Sequence, residues 1–552
     1  MQNCDELPPR VEQTQSGNTV LYKGRYLYSK RQPQKQIETA LDSLVSTERT
    51  LFIFASPALA YGAKRLIDIL PSSSFLLFIE YDEQLGILFE QTFWQEFIAF
   101  NAAKNIEYLC IKDIEGAVQK VEIFTGFNFK RIEIVRGSAG FSLHEELYLA
   151  FFALLERHMS FFWKNRITLI EMARLYSRNI FKCLSYISKT ETRFKALPQN
   201  IVTKPVMVVG AGPSLDSSLA FIKENRENFF LLAVDVALPT LSSIEVEADA
   251  VVLLEGQYWI EHAFLLSRYR KIPLFASITS NPHVFNILQD EVFLYSIEFA
   301  PINFLKNLRN TMPHLPSFAP LGSVGLLALQ LALFITKKDV PIFHTGLDFS
   351  YSQGFSHARS SMHPQNITIA NSRLKSLYSS SIFPTGLQKI KGKNEILLWS
   401  TTVLSSYATM YKSEFSHLNN IFDIGKSGLI LRDRVLEEEE VKQLLTKQSS
   451  KCKVHKFECD EEKSFQMKKV QCFLNDEKRK LNAIKNMLTG GDEWNVETFI
   501  NVIKSTDYLY LHFPDYSPSL DASMISSSFL KRIRIEVEYF LKIITEQIEM
   551  RH

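Results

Sequence analysis

Two hydrophobic periods take turns along this chain. Short apolar runs between about residues 50 and 140 predict strands at Thr50–Ser56, Phe75–Asp82, Ile106–Lys112 and Ile132–Gly137, with amphipathic helices between them. A second series predicts strands at Val206–Gly210, Phe230–Asp235, Ala250–Leu254, Pro273–Ser277, Val292–Ser296 and Val340–Thr345, and a late one at Asn420–Ile424. Residues 143–190 carry no strong turn signal and are rich in Leu, Phe, Ile and Tyr. They predict one or two long linking helices, with Leu197-Pro198 and Lys204-Pro205 marking the exit. Val324–Ile335 is almost wholly apolar, which predicts a buried helix too short to span a bilayer. Beyond residue 436 the helical period dominates. Phe473, Leu481, Ile484 and Leu488 share one face up to Gly490-Gly491, and Ile533, Val537, Leu541, Ile544 and Ile548 share the face of a last helix.

Strands alternating with helices predict an α/β fold, with a doubly wound, Rossmann-like central sheet that places ligands at the carboxyl ends of its strands. The expected layout is a flexible tail (1–18), a smaller N-terminal α/β domain (19–142), linking helices (143–200), a central catalytic domain (201–435) and a C-terminal helical domain (436–552). A chain of 552 residues is too long for one core. Lys plus Arg (62) nearly balances Asp plus Glu (60), so no nucleic-acid partner is expected. The N-terminal MQNCDELPPRVEQTQSG has no apolar segment of the secretory type, and the six cysteines follow no disulfide framework. Both points predict a cytoplasmic protein with no membrane span.

Three stretches carry candidate chemistry. In VMVVGAGPSLDSSL (206–219), Gly210, Gly212, Pro213 and Ser214 form a turn from strand to helix. Such a turn offers helix N-terminal amides to a phosphate, or serves only as a structural bend. Leu215 stands where a dinucleotide fingerprint needs a small residue, and Asp216 suits the positive end of the helix dipole. Asp235 ends the next strand and is placed to accept from ribose hydroxyls. Glu255 ends the third, while Asp249 reads better as a cap. The third stretch is PLGSVGLLALQLALFITKKDVPIFHTGLDFSYSQGFSHA (320–358). Gly322 and Ser323 open the apolar helix, Gly346 and Asp348 follow the next strand, and His357 lies in the loop beyond. Imidazole is the natural general base near neutral pH, so His357 and Asp348 are the catalytic candidates. His344 reads as a core histidine, and His363 as a weaker base.

Cys452, His455, Cys459 and Cys472 hold zinc-type ligands without the spacing of paired knuckles, and no metal site is expected. Zincin, P-loop and nucleophile-elbow motifs are absent from the sequence.

Together, VVGAGPSLD, AVD, EADAVVLLE, GSVGLLALQLAL, HTGLDFSY and GFSHA resemble the motility-associated factor (Maf) flagellin glycosyltransferases. Their central domain is shared with MptE-like pterin pyrophosphokinase proteins and is similar to CMP-sialic-acid-dependent sialyltransferases (GT-A-like). The likeness spans roughly residues 165–435, with support from YKGRYLYSKRQPQKQ (22–36), WKNRITLIEMARLYSRNIFKCL (163–184) and IFDIGKSGLIL (421–431). It departs at Glu255, where the family usually has Asp, and at Ala248, where it usually has Pro.

The resemblance implies transfer of a nonulosonic acid, of pseudaminic or legionaminic type, from a CMP-activated donor to Ser or Thr of flagellin. Flagellin, alone or with its export chaperone, is the implied partner. No tightly bound cofactor is implied, and magnesium is permitted but not required. In that reading the helix starts at Gly212–Ser214 and Gly322-Ser323 face the departing phosphate, His357 or Asp348 serves the acceptor hydroxyl, and Asp235, Glu255 and Asp348 anchor sugar and cytidine. Three alternatives remain open. One is a 6-hydroxymethyl-7,8-dihydropterin pyrophosphokinase using ATP and magnesium. The second is a non-catalytic flagellin-binding assembly factor, and the third is a dehydrogenase. Oligomeric state is left open.

Overall fold

In the computed structural model the described residues are 7–44, 47–100, 105–126, 129–190, 192–352, 356–362, 386–449, 465–490, 496–516, 520, 522 and 525–549. The chain divides into two compact units, Met1–Thr168 and Leu169–His552.

The first unit opens with an antiparallel meander of β1 (Arg10–Thr14), β2 (Gly17–Tyr22) and β3 (Arg25–Tyr26). The expected flexible tail is thus corrected from Arg10 on. Its polar strand is held by backbone pairing to β2 and not by burial, so it has no hydrophobic signature. Next come β4 (Thr50–Ala55), β5 (Phe75–Glu80), β6 (Ile106–Cys110) and β7 (Arg131–Arg136), a parallel sheet in the order β6-β5-β4-β7. Alternate side chains feed two cores. Phe52, Phe54, Leu76 and Phe78 belong to one, and Leu51, Ile53, Leu77 and Ile79 to the other. With both faces covered, the central strands β4 and β5 read as continuous apolar runs, which made them visible in the sequence.

Residues Glu145–Lys189 form one uninterrupted helix of 45 residues. No Gly or Pro interrupts it, which explains its length.

The second unit holds β8 (Phe194–Ala196), β9 (Val206–Val209), β10 (Phe230–Val234), β11 (Ala250–Leu253), β12 (Leu274–Ser277), β13 (Val292–Ile297), β14 (Ser317–Phe318) and β15 (Ile342–Thr345), then β16 (Leu387–Lys391), β17 (Leu397–Thr401) and β18 (Ile421–Asp423). The large sheet runs β14-β13-β12-β11-β10-β9-β15-β18 with parallel pairing throughout, and β8 also pairs with β13. From β9 the chain steps outward through β10, β11, β12 and β13, then returns to the other side of β9 as β15. The reversal between β9 and β15 is a topological switch point, the place outside the carboxyl ends of the strands where open α/β sheets bind ligands.

Helices Met467–Thr489, Val496–Ser505 and Ser527–Glu549 follow. The first stops at Gly490, as expected, in the left-handed conformation with φ 77°. These helices share one hydrophobic core with the sheet rather than building their own. Phe304 lies 4.6 Å from Tyr508 and Phe181 5.7 Å from Phe540, ring centre to ring centre.

Candidate functional site

The switch point is made by two glycines in backbone contact. A Cβ on Gly210 would lie 2.3 Å from the Gly346 carbonyl oxygen, and one on Gly346 would lie 2.3 Å from that of Gly210. Gly346 also has φ +72°, which L side chains rarely adopt. The Gly210 amide donates to Thr345 O, and the Gly212 amide to Gly346 O, both at 2.8 Å. The loop after β15 is therefore pinned against the turn after β9.

Asp348 completes this brace. It is buried, and its Oδ2 accepts the Ser214 amide at 2.7 Å, while Ser214 Oγ accepts the Gly346 amide at 3.0 Å. Asp348 thus occupies the start of helix Ser214–Glu224 as an internal anion. The Leu215 and Asp216 amides also bond within the turn. At the expected phosphate cradle of Gly210, Gly212, Pro213 and Ser214, the Gly210, Gly212 and Ser214 amides have partners within the protein, and Pro213 has no amide hydrogen to donate. Burial pushes the Asp348 carboxyl up to about 6, against the lowering contacts with Ser214 and the Lys393 charge.

A different helix start lies beside the same junction. Helix Val324–Ile335 begins after Gly322 (φ +71°) and Ser323. Among the described residues no side chain caps its first turn. A Cβ on Gly325 would meet Leu347 at 2.4 Å, and one on Gly210 would meet the same Leu347 atom at 2.6 Å. The helix start therefore abuts the β9–β15 junction, with its positive dipole end toward it.

The acids after β10 and β11 form a second group. Asp235 is buried, and its Oδ1 accepts the Val236 amide at 2.8 Å. Its Oδ2 is buried without a well-formed hydrogen bond among the described residues. Burial pushes this carboxyl up to about 7, and the Glu255 charge adds to the rise. Glu255 is half-buried and accepts the Gln257 amide at 2.9 Å. Its charge also adds to the burial that raises the Tyr176 phenol to about 12. Asp249 accepts the Leu231 amide at 2.7 Å and pairs with Arg226 at 3.0 Å, a structural role.

His357 lies in segment 356–362, which folds back onto the turn after β9. The Ala358 amide donates to Ala211 O at 2.9 Å, and the Arg359 amide contacts both Asp216 oxygens at 3.2 Å. His357 is half-buried, with Nδ1 3.1 Å from Ser356 Oγ. The fold thus brings His357, Asp348, Gly346 and the 210–214 turn to one junction, with the Ser323 helix start beside it. Asp235 and Glu255 stand at the ends of the neighbouring strands.

Three features had no sequence motif. Asp423 ends β18 and pairs with Lys393, Nζ to Oδ2 at 2.7 Å, with both side chains buried. The strand-end rule that marked Asp235 would have marked Asp423 too. Lys393 comes from the β16–β17 hairpin and carried no such signal. After β12, Ser277, Thr279, Ser280 and Asn281 are buried, and Asn179 donates to Gly256 O and Thr279 O at 3.0 Å. His344 is a core residue whose Nε2 lies 2.8 Å from the Tyr411 hydroxyl, and burial lowers its pKa to about 4. Cys452, His455, Cys459 and His363 lie outside the described residues. Cys472 is on helix Met467–Thr489, and no cluster of three or more His, Cys, Asp or Glu side chains placed to hold a metal ion occurs among the described residues. Among the described residues no helix is long and apolar enough to cross a membrane.

Comparison with known proteins agrees with this architecture. A family model described as 6-hydroxymethylpterin diphosphokinase MptE-like matches residues 178–354. The solved structure of a Maf glycosyltransferase from Magnetospirillum magneticum AMB-1 superposes with a TM-score of 0.58 at 12% identity, covering 99% of this chain and 92% of that one. The chain is Maf-like in fold and carries an MptE-like domain. An uncharacterised protein of Treponema pallidum (strain Nichols) is 35% identical over 557 residues, 98% of this chain and 95% of that protein, and the chain belongs to the same family.

Proposed function

We propose that the chain is a glycosyltransferase that moves a nonulosonic acid from a CMP donor to Ser or Thr hydroxyls of flagellin in the cytoplasm. The observation that carries this reading is the junction of β9 and β15. There a helix start with no side-chain cap, a buried carboxylate and a half-buried histidine come together at the strand ends. The likeness in fold to a Maf glycosyltransferase supports the same reading.

The leaving CMP carries negative charge that must be stabilised as the glycosidic bond breaks. The amides at Ser323–Gly325 are donors suited to that phosphate, because their dipole end is uncapped and preorganised. Asp235 and Glu255, on the next strands, suit the hydroxyls of the ribose. His357 takes the proton of the acceptor hydroxyl, and Asp348 holds the β9 turn and the β15 loop in register. None of these steps calls for a metal.

One observation favours a second reading: the MptE-like match over residues 178–354. A pterin pyrophosphokinase would release AMP from ATP in the presence of hydroxymethyl-dihydropterin and magnesium. The two readings separate in one assay series. Release of CMP from a CMP-nonulosonate, dependent on flagellin, supports the transferase. Release of AMP with the pterin, and no CMP release, overturns it. A purely flagellin-binding factor would do neither, and would still bind flagellin after His357→Ala.

A further inference from the structure

Lys393 reaches the junction from the turn of the β16–β17 hairpin, and only 7% of it is exposed. Its Nζ is 2.7 Å from Asp423 Oδ2 and donates to Gly425 O at 2.7 Å. Its amide donates to Gly428 O at 2.9 Å. One lysine therefore fastens both ends of the turn 425–428. That turn supports Asp348 directly. The Leu429 amide donates to Asp348 O at 2.9 Å, and Gly428 runs so close that a Cβ there would lie 2.8 Å from the Asp348 Cα. Asp423 closes the arrangement by accepting the Gly425 amide at 2.9 Å.

Burying an ammonium costs several kcal/mol unless it is paired. Asp423 supplies that pairing, and the same Lys393 charge also acts on Asp348. Asp348 faces Ser214 from helix Ser214–Glu224, Lys393 from the hairpin and Asp423 from β18. Behind Asp423 stands His344 of β15, 3.8 Å away, kept neutral by burial, with the Arg432 charge acting on it. The Lys393 charge favours the ionised form of Asp348, and the Asp423 charge opposes it.

We propose that Lys393, paired with Asp423, is a positioning residue that holds Asp348 in place and ionised at the β9–β15 junction. Its role in catalysis rests on the transferase reading above. An ionised Asp348 keeps the Ser214 amide and so keeps the β15 loop, which leads to His357, docked on the β9 turn.

The test compares Lys393→Met, Asp423→Asn and the double variant with the wild-type chain. Two readouts are taken between about pH 5 and 8: the rate of flagellin modification and the melting midpoint without donor. Losing the cation should move the acid limb of the rate up by on the order of one pH unit. Losing the like charge should move it down, and the double variant should return near wild type. The melting midpoint should follow. Asp348 has a raised folded pKa, so the stability it contributes is lost as pH rises through that value. That loss should extend to higher pH in Lys393→Met and end at lower pH in Asp423→Asn. Single variants that keep the wild-type pH dependence in both readouts would overturn the proposal, even if they are less stable. If the melting curves shift as described but no form modifies flagellin, the Lys393–Asp348 linkage stands and the transferase reading falls.

Discussion

Asp235 and His357 make opposite demands on their surroundings. Asp235 is buried with one oxygen lacking a well-formed partner among the described residues, and its folded pKa of about 7 lies above the ordinary 3.8. Such a group contributes stability at low pH and loses it as pH rises through about 7. Asp235→Asn, which stays neutral, should therefore raise the melting midpoint at pH 8, a gain on the order of 4 kcal/mol that fades toward pH 4. The same substitution should weaken CMP binding if the carboxylate meets the ribose, as calorimetry would show. His357 is half-buried, with Nδ1 beside Ser356 Oγ; in the proposed reaction it takes the acceptor proton. His357→Ala should lower transfer by roughly 10²- to 10⁴-fold with CMP affinity near wild type. Strand-end position alone made Asp235, Glu255 and Asp348 legible in the sequence. What it did not show is that Asp348 spends its carboxylate on the Ser214 amide, because that bond joins residues 134 positions apart. Lys393 was invisible for a similar reason, since its hairpin is short and partly polar and its partner lies on another strand.

At the scale of elements, the glycines of the junction are the tightest constraint. Gly210 and Gly346 touch through their backbones, and Gly346 also needs a positive φ. Gly346→Ala should destabilise the second unit by roughly 2–4 kcal/mol, read as a fall in its melting midpoint. It should also lower transfer, because the loop that leads to His357 loses its seat. The buried strands β4, β5 and β9–β13 were readable because strands covered on both faces are apolar throughout. Helix Val324–Ile335 matched its sequence span for the same reason. The β1–β3 meander and the β16–β17 hairpin were not readable. Their stability comes from backbone ladders and edge contacts, and exposed residues such as Arg10, Gln13 and Lys389 mask the strand period.

Over the whole molecule, separate hydrophobic cores serve the two units, while the C-terminal helices join the core of the large sheet. The sequence marked those helices by their period but gave no sign of where they dock. Calorimetry should resolve two unfolding transitions. CMP at about one hundred times its dissociation constant should stabilise only the one from the second unit, by about 2.7 kcal/mol. The most direct test of the central claim is the intact mass of unmodified flagellin after incubation with the purified chain and a CMP-nonulosonate. The account predicts added mass in whole steps of one nonulosonic acid residue, lost with His357→Ala. Unchanged flagellin mass with both CMP-pseudaminic and CMP-legionaminic acid would contradict it.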